Sequence, residues 1–246
     1  MLTMALIWLS VAAQGQETRV SGTFTFIQGE VLVKKDVEST WTRAAFDMPV
    51  YRGYKVKVSL YSRAEITLRD RSVIRLRENT EIDTSDLVLV QAGGEEPSSV
   101  KLLLGQVWAK VKRGGAGASS FEIATPTVVA SVSGTTYRVN YEADGAAQIK
   151  VYDGKVSVFK PAPEGTASAS GAIGRPSRVP RPAEEIQRPV QRVSRAEWER
   201  IVGAMQQITI APDGSFSEPK DFSASDADEQ DEWVRWNESR DASLGD

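Results

Sequence analysis

Two groups of carboxylates have residue types and spacings that could carry out chemistry. The first group lies in the middle of the chain and comprises Asp70, Glu78, Glu81 and Asp83. A facing pair of such acids can hydrolyse a glycosidic bond, but only when the two are held at a fixed separation in a cleft. Acids in the turns of a β domain are more commonly exposed to water. We therefore interpret this group as exposed turn residues and not as the catalytic groups of an enzyme.

The second group lies near the C-terminus and comprises Asp226, Asp228 and Asp231. Closely spaced acids are typical of calcium loops, but such loops have a central glycine and a distal glutamate that this segment lacks. Acidic residues also favour the first turn of a helix, where they interact with its dipole. We therefore interpret this group as the solvated acidic start of a helix, without a metal ion.

The composition excludes most other catalytic and metal-binding chemistry. The 246-residue chain contains no histidine and no cysteine, so it lacks the residues of a histidine-relayed hydrolase, a thiolate nucleophile, a disulfide or an ordinary zinc site. Its net charge of -3 gives no general attraction to nucleic acids or anionic membranes. We predict that the protein is not an enzyme, has no cofactor and has no specific nucleic-acid partner.

The first residues resemble an export signal. Residues 1–13 form an apolar run, which is too short to span a bilayer as a helix because that takes about 20 residues. Small residues follow up to Gly15, as at a signal-peptide cleavage site. We predict that residues 1–15 are a signal peptide and that the mature protein is periplasmic or secreted, with no integral membrane segment.

The elements that would position functional residues are mainly β-strands. Between Gly22 and Lys160, apolar and polar residues alternate in short runs such as Val56-Lys57-Val58, which is typical of strands with one buried face. The motif Gly-x-Val occurs three times, at Gly29, Gly105 and Gly154. The pattern predicts an all-β domain over residues 22–160, folded as a compact β-sandwich or short β-solenoid without a helix longer than a turn or two.

The amino-acid composition of the chain changes after this domain. Residues 161–193 are rich in Pro, Ala, Gly, Ser and Arg, which predicts a disordered linker. Residues 194–246 are predicted to be an amphipathic helical tail, whose first helix begins at the capping box formed by Ser194 and Glu197. The apolar residues at helical spacing in that helix are Trp198, Ile201, Val202 and Met205.

The rest of the tail is expected to hold smaller elements. The pattern of residues 208–216 predicts a short strand and a turn. A second short helix is expected to contain Trp233 and Trp236. Because an isolated helix of this length is marginally stable in water, we expect the apolar residues of the tail to dock onto the β domain or a partner. The alternative is that the tryptophans, with Trp108, line a groove for a sugar or a peptide.

Several sequence blocks in the region 22–160 occur in a recognisable order. Their characteristic residues are Gly53, Asp70, Asn79, Gly105, Thr125, Pro126, Gly134, Thr135 and Gly154. In this order the blocks resemble the FecR domain family. The residue types in these blocks have structural roles. An aspartate can close an Asx turn, Thr-Pro ends a strand and glycine permits close backbone passage. Two positions depart from the family pattern: Arg71 replaces a usual glycine, and Ser133 replaces a usual arginine that could contact partners.

The resemblance implies a regulatory role. Members for which the family is named relay a signal from an outer-membrane receptor to a cytoplasmic sigma factor, through a cytoplasmic anti-sigma segment and a transmembrane helix. This sequence shows neither feature and resembles a standalone exported version. The resemblance therefore implies a non-catalytic interaction or signalling module with an envelope protein as partner; the alternative is a structural or carbohydrate-binding envelope component that binds glycan. An exposed strand edge would favour the former, and an aromatic-lined groove the latter.

Overall fold

The computed structural model describes residues 20–35, 38, 40–87, 98–113, 120–161 and 199–244. The predicted signal peptide and nearly all of the predicted linker lie outside these residues, as does Trp198. The strands are β1 (Val20–Gln28), β2 (Val31–Lys34), β3 (Thr42–Arg43), β4 (Pro49–Tyr51), β5 (Lys55–Val58), β6 (Arg63–Leu68), β7 (Val73–Leu76), β8 (Thr80–Asp83), β9 (Ser98–Lys110), β10 (Phe121–Ala124), β11 (Val129–Val132), β12 (Thr136–Tyr141), β13 (Ala147–Asp153), β14 (Lys155–Phe159), β15 (Glu199–Gly203), β16 (Gln206–Ile210) and β17 (Lys220–Asp221), and the helix is α1 (Glu232–Leu244).

The strands form two sheets that share the long strand β9. Sheet A has the order β4-β1-β6-β7-β9-β12-β13-β16-β17, and sheet B has the order β3-β2-β5-β8-β9-β10-β11-β14-β15. The first part of β9 pairs with β8 and β10 in sheet B, and its second part pairs with β7 and β12 in sheet A. All neighbours are antiparallel except β9 and β10, which are parallel.

The inner faces of the two sheets enclose one hydrophobic core. Alternate residues of sheet A, such as Ile74 and Ile149, and of sheet B, such as Val56 and Val156, belong to the same buried cluster. The prediction of an all-β, sandwich-like domain is confirmed, and the described part of residues 22–160 contains no helix. Among the described residues, no helix is long and apolar enough to cross a membrane.

The repeated Gly-x-Val motif marks places where the chain crosses between the sheets. Gly29 links β1 to β2, Gly105 bends β9 from sheet B to sheet A, and Gly154 links β13 to β14. Gly105 has φ +93°, and a Cβ there would lie 2.5 Å from Oγ1 of Thr80. Only glycine adopts this backbone conformation freely and leaves room for the neighbouring crossing. The Gly-x-Val motif therefore occurs where the chain passes tightly from one sheet to the other.

Most of the remaining family-motif residues also shape turns and crossings. Positive φ values occur at Gly53, between β4 and β5, at Asn79, between β7 and β8, and at Gly134, between β11 and β12. Beside the last of these, Thr135 donates a hydrogen bond from Oγ1 to the carbonyl oxygen of Lys155, 3.0 Å away. These residues thus fix the geometry by which strands change sheet.

Asp70 and Thr125 close turns through their side chains. Oδ1 of Asp70 accepts a hydrogen bond from the backbone N–H of Ser72 at 2.9 Å, which is the Asx turn expected from the sequence. Oγ1 of Thr125 accepts one from the backbone N–H of Val128 at 3.0 Å, and the turn between them contains exposed Pro126.

The hairpin between β6 and β7 contains the departure at Arg71. Its φ of +69° is left-handed, a conformation that costs roughly 1–2 kcal/mol in a residue with a Cβ. The backbone N–H of Arg71 still donates to the carbonyl oxygen of Leu68 at 2.9 Å. The hairpin therefore keeps the conformation suited to glycine and strains the arginine.

The helix expected from Ser194 is wrong over its described part. Residues Glu199–Gly203 form β15, which pairs with β14 in sheet B, and the following turn leads into β16 in sheet A. Val202 is buried in the core, Ile201 is exposed and Met205 has φ +58° in the connecting turn. These residues follow strand alternation because pairing with β14 satisfies backbone groups that a docked helix would leave open at the edge of sheet B.

The later tail elements agree with the sequence. Residues Gln206–Ile210 are a strand, and Ile210 forms a bridge with Phe216 across a turn. The second helix is α1, which contains Trp233 and Trp236. Its N-cap is Asp231, whose Oδ1 accepts a hydrogen bond from the backbone N–H of Trp233 at 2.8 Å.

Candidate binding surface on the outer face of sheet A

A row of polar and aromatic residues crosses the outer face of sheet A. Each member is the cross-strand partner of the next, so the row runs across β1, β6, β7, β9, β12, β13 and β16. We call this row the outer ladder; its members are Phe26, Glu65, Arg75, Trp108, Arg138, Lys150 and Gln207. Directly opposite side chains in a sheet are close enough to interact, so the ladder forms one continuous surface.

The ladder is buried although it lies on the outside of the sheet. Arg75 is 0% exposed, Lys150 2% and Arg138 3%. Their neighbours along each strand face the core, so the cover must come from elsewhere. That cover is residues 222–244, which we call the C-terminal segment and which include α1.

The Arg75 end of the ladder is held by carboxylates from both the sheet and the segment. Nε of Arg75 donates to Oε2 of Glu65 at 2.7 Å, and its Nη1 donates to Oδ1 of Asp241 at 2.7 Å. The indole N–H of Trp108 donates to Oδ2 of Asp241 at 2.9 Å. Arg240 forms two hydrogen bonds, of 2.7 and 2.9 Å, with the oxygens of Glu65. Charge pairs thus run continuously from sheet to helix.

The Lys150 end uses a second pair of acids. Nη2 of Arg138 donates to Oε1 of Glu229 at 2.6 Å, and Nζ of Lys150 donates to the same oxygen at 2.8 Å. Oδ2 of Asp228 accepts from both cations, at 3.0 and 2.5 Å. The hydroxyl of Tyr152 donates to Oε2 of Glu229 at 2.9 Å. Two buried cations therefore share two carboxylates, of which only Glu229 is itself buried.

Aromatic rings fill the space between the charge pairs. Trp108 stacks on Tyr152 with ring centroids 4.2 Å apart, and Tyr152 meets Phe222 edge-on at 5.5 Å. On α1, Trp233 and Trp236 stack at 5.2 Å. Cations lie over these rings as well, since Nζ of Lys150 is 4.8 Å from the centroid of Phe222. The segment is thus held by both apolar contact and charge.

The acids of this surface are stabilised in their charged form. Burial acts to raise the pKa of Glu65, but hydrogen bonds from Arg240, Arg75 and Thr25 outweigh it and hold that pKa below its ordinary value. The pKa of Asp228 is likewise lowered, since Lys150 and Arg138 outweigh the effect of burial. For Asp231, the hydrogen bond from Trp233 and the charge of Arg77 outweigh burial and lower the pKa.

Two buried donors of this surface have no hydrogen-bond partner among the described residues. They are Nη2 of Arg75 and Nε1 of Trp233. A buried donor without an acceptor loses its hydration and gains nothing in return. The contact between ladder and segment is therefore incompletely satisfied at its centre.

Most of the carboxylates singled out in the sequence have structural partners. Asp83 accepts from both the backbone N–H and the hydroxyl of Ser85, and Glu78 accepts from the backbone N–H of Tyr61 at 2.7 Å. Asp228 and Asp231 are not merely solvated acids, because they pair with the cations of sheet A. In the described ranges, no group of three or more acids is arranged to hold a metal ion.

The outer ladder was not predicted from the sequence, although a local signal for it exists. In four strands a single cation or tryptophan is flanked by core-facing residues, as in Ile74-Arg75-Leu76 and Ile149-Lys150-Val151. Alternation places each of these residues outward, but only the register of the sheet shows that they are neighbours. The predicted docking residues Trp233 and Trp236 lie against this surface, whereas Ile201, Val202 and Met205 do not contribute to it.

A different surface is offered by the edge of sheet B. Among the described residues, β15 pairs only with β14, which leaves its other side without a strand. Ile201, in the middle of β15, is 64% exposed. An exposed strand edge is the feature expected to favour pairing with another protein.

An open groove of about 780 Å³ lies near the family-motif residues Thr125 and Pro126. Its walls also include Leu103, Pro161 and Pro212, and none of its lining residues is aromatic. The described tryptophans Trp108 and Trp233 are instead buried beneath or within the C-terminal segment. This groove therefore lacks the aromatic lining that is typical of a glycan site.

Comparisons with a family model and with solved structures each found a similarity to this chain. The family model described as FecR protein matches residues 54–157. Two crystal structures of a candidate anti-sigma factor from Parabacteroides distasonis ATCC 8503 are similar to the chain, each with 17% identity and a TM-score of 0.47. Each match covers 69% of this chain and 60% of the other, so the chain spans less than two thirds of that protein's length. The sequence matches no curated protein.

Proposed function

Because the chain carries a FecR domain over residues 54–157, we propose that it is a non-catalytic protein-interaction module of regulatory signalling in the bacterial envelope. The FecR family is regulatory and not catalytic. The observation that carries the proposal for this chain is the edge of β15, where no described strand covers the outer side.

The edge of β15 suits the addition of a partner strand. The N–H and C=O groups on the open side of an edge strand can pair with an extended segment of another protein. The exposed side chain of Ile201 offers an apolar contact beside those groups. A partner strand bound there would extend sheet B from β15.

The alternative, an envelope component that binds carbohydrate, was expected to use the tryptophans. Sugar sites present aromatic rings on an accessible surface, whereas Trp108 and Trp233 are 1% and 3% exposed. The groove beside Pro126 has no aromatic wall. These two observations support protein pairing over a glycan site lined by those tryptophans.

Site-specific photo-crosslinking in the full chain tests the proposal. A photo-reactive amino acid at position 201, introduced in the producing bacterium, is expected to form an adduct with one envelope protein. Replacing Ile201 with Asp should lower recovery of that protein at least ten-fold in a pull-down. The control places the photo-reactive residue at Phe46, which is 72% exposed and lies between β3 and β4. Equal adducts at both positions, or binding to envelope glycan without a protein adduct, would contradict the proposal.

Export forms part of the proposal and is tested separately. We expect the mature chain to be recovered outside the cytoplasm without its first residues, because residues 1–13 are apolar and the small residues Ala12, Ala13 and Gly15 stand at the end of this run. Cell fractionation with mass determination measures this. A cytoplasmic chain that retains Met1 would rule out an envelope location.

A further inference from the structure

The cations of the outer ladder would form an exposed binding face without the C-terminal segment. Arg75, Arg138 and Lys150 point away from the core, and their contacts outside sheet A are with residues of the segment. The charges of the two sides are complementary. Besides these three cations, Arg63 pairs with Glu232 at 3.0 Å and Arg77 with Asp231 at 2.8 Å.

Stability alone does not account for a charged interface. A buried ion pair is often no better than a well-packed apolar pair of the same volume, so an apolar row would hold a permanent cover equally well. An apolar row would also aggregate if the cover left, whereas the three cations Arg75, Arg138 and Lys150 are tolerated in water. The charged members of the ladder are therefore compatible with an open state as well as with the covered one.

The segment is also an imperfect ligand for the ladder. In the part of the chain that the structure describes, Nη2 of Arg75 and Nε1 of Trp233 remain buried without a hydrogen-bond partner. Arg75 is fully buried and its guanidinium is a fork that can bind a carboxylate through two nitrogens, yet Nη2 meets no acceptor. A ligand that offered an additional acceptor at this point would bind better than the segment does.

We infer that the outer ladder is a recognition site for an acidic, tryptophan-bearing segment of a protein partner, and that residues 222–244 occupy this site until such a segment replaces them. A second copy of the chain is not the favoured occupant, because its identical segment would leave the same two donors unpaired. The inference rests on the proposed function, since it names the chemistry of a protein partner. It concerns sheet A and not the edge of β15, so that the two proposals can fail separately.

Binding of a peptide in trans to the full chain tests the inference. The probe is a fluorescent peptide with the sequence of residues 222–244. The receiving chains are the wild type and a variant with Glu229→Gln and Asp241→Asn, which weakens the attached segment and leaves the ladder intact. The variant is expected to bind the peptide at least ten-fold more tightly than the wild type, with an affinity that falls as sodium chloride is raised.

Substitutions in the ladder provide the matched control. In the weakened background, Lys150→Met should lower peptide affinity at least ten-fold, whereas Lys57→Met, at an exposed position of β5, should leave it unchanged. A peptide carrying Asp228→Asn, Glu229→Gln and Asp241→Asn should not bind. A scrambled peptide of the native composition should bind at least ten-fold more weakly than the native sequence.

A measurement on the wild-type chain tests the inference without any variant. Excess isotopically labelled peptide should displace the attached segment and speed amide exchange in α1 of the chain itself. The inference is overturned if α1 is released in the weakened variant but the peptide does not bind, or if the scrambled peptide binds equally well. It is also overturned if the weakened chain forms a dimer that excludes the peptide, since the occupant would then be a second copy.

Discussion

The inner face of sheet A packs apolar side chains against sheet B, whereas its outer face presents cations and aromatic rings to the C-terminal segment. Both faces are buried, and they alternate along the same strands: Ile149 belongs to the core and Lys150 to the ladder. The inner contact is stabilised by removal of apolar area from water, which depends little on salt or pH. The outer contact depends on charged groups, and its strength therefore varies with both.

The difference separates the part of the molecule that maintains the fold from the part that can change. Loss of an inner contact acts on the whole domain, because both sheets share one core. Loss of an outer contact can be limited to the segment, because α1 contacts the domain through the outer face of sheet A. Four predictions test this difference between the two faces of sheet A, and they are given from the largest expected effect to the smallest.

Replacing Ile149 with Ala should lower the free energy of unfolding by about 2–5 kcal/mol, because it leaves a cavity between the sheets. The effect should be independent of salt and should be visible in urea unfolding followed by far-UV circular dichroism. Lys57→Ala, on the exposed side of sheet B, is the control and should change stability by less than about 0.5 kcal/mol. A loss below about 1 kcal/mol for Ile149→Ala would contradict the placement of this residue in a shared core.

Replacing Glu229 with Gln should weaken docking of the segment by about 2–3 kcal/mol, since it leaves Arg138 and Lys150 buried with one partial partner. Amide exchange in α1 measures the effect, and exchange in β6 and β7 should change little. The control is Asp228→Asn, whose side chain is 53% exposed and contacts the same cations; it should cost about 0–1 kcal/mol. Equal effects of the two substitutions would mean that burial does not govern this contact.

Acid should release the segment before it unfolds the core. The pKa values of Glu65, Asp228 and Asp231 are lowered in the folded chain, so each acid stabilises the docked state above its unfolded pKa. That contribution is lost as the pH falls through the folded pKa. Tryptophan fluorescence and α1 exchange between pH 7 and pH 2 should therefore report undocking ahead of the loss of far-UV signal.

The substitution Glu65→Gln should make this acid transition shallower, because it removes one of the acids that titrate. A single transition in which α1 and the sheets are lost together, with no effect of Glu65→Gln, would show that the outer contact does not respond to charge as described.

Replacing Arg71 with Gly should raise the free energy of unfolding by about 0.5–1 kcal/mol, because it relieves the left-handed strain at φ +69°. Thermal unfolding measures the gain, and docking of α1 should not change. The control is Arg69→Gly in the same hairpin, at an exposed position without a positive φ, which should be neutral or destabilising. Stabilisation by both substitutions would attribute the effect to lost charge.

Much of the β domain could be predicted from local sequence. Alternation marked the strands, because the two faces of a strand have a period of two residues whatever their partners are. The glycines of the Gly-x-Val motif marked special backbone positions, and Asp70 marked its Asx turn, since these features depend on a few neighbouring residues. A short helix containing Trp233 and Trp236 was predicted for the same reason, with an acidic start, and the structure shows that Asp231 is its N-cap.

The identity of β15 and the outer ladder depended on tertiary structure. Residues Glu199–Gly203 satisfy either a helical or a strand pattern, and the open edge of β14 decided between them by offering backbone partners. The ladder joins residues from Phe26 to Gln207 that are far apart in the chain, and only strand register makes them neighbours. Likewise, the sequence around the acids of residues 222–244 does not indicate which cations they pair with. A charge in a sequence does not reveal which cation the fold will place opposite it.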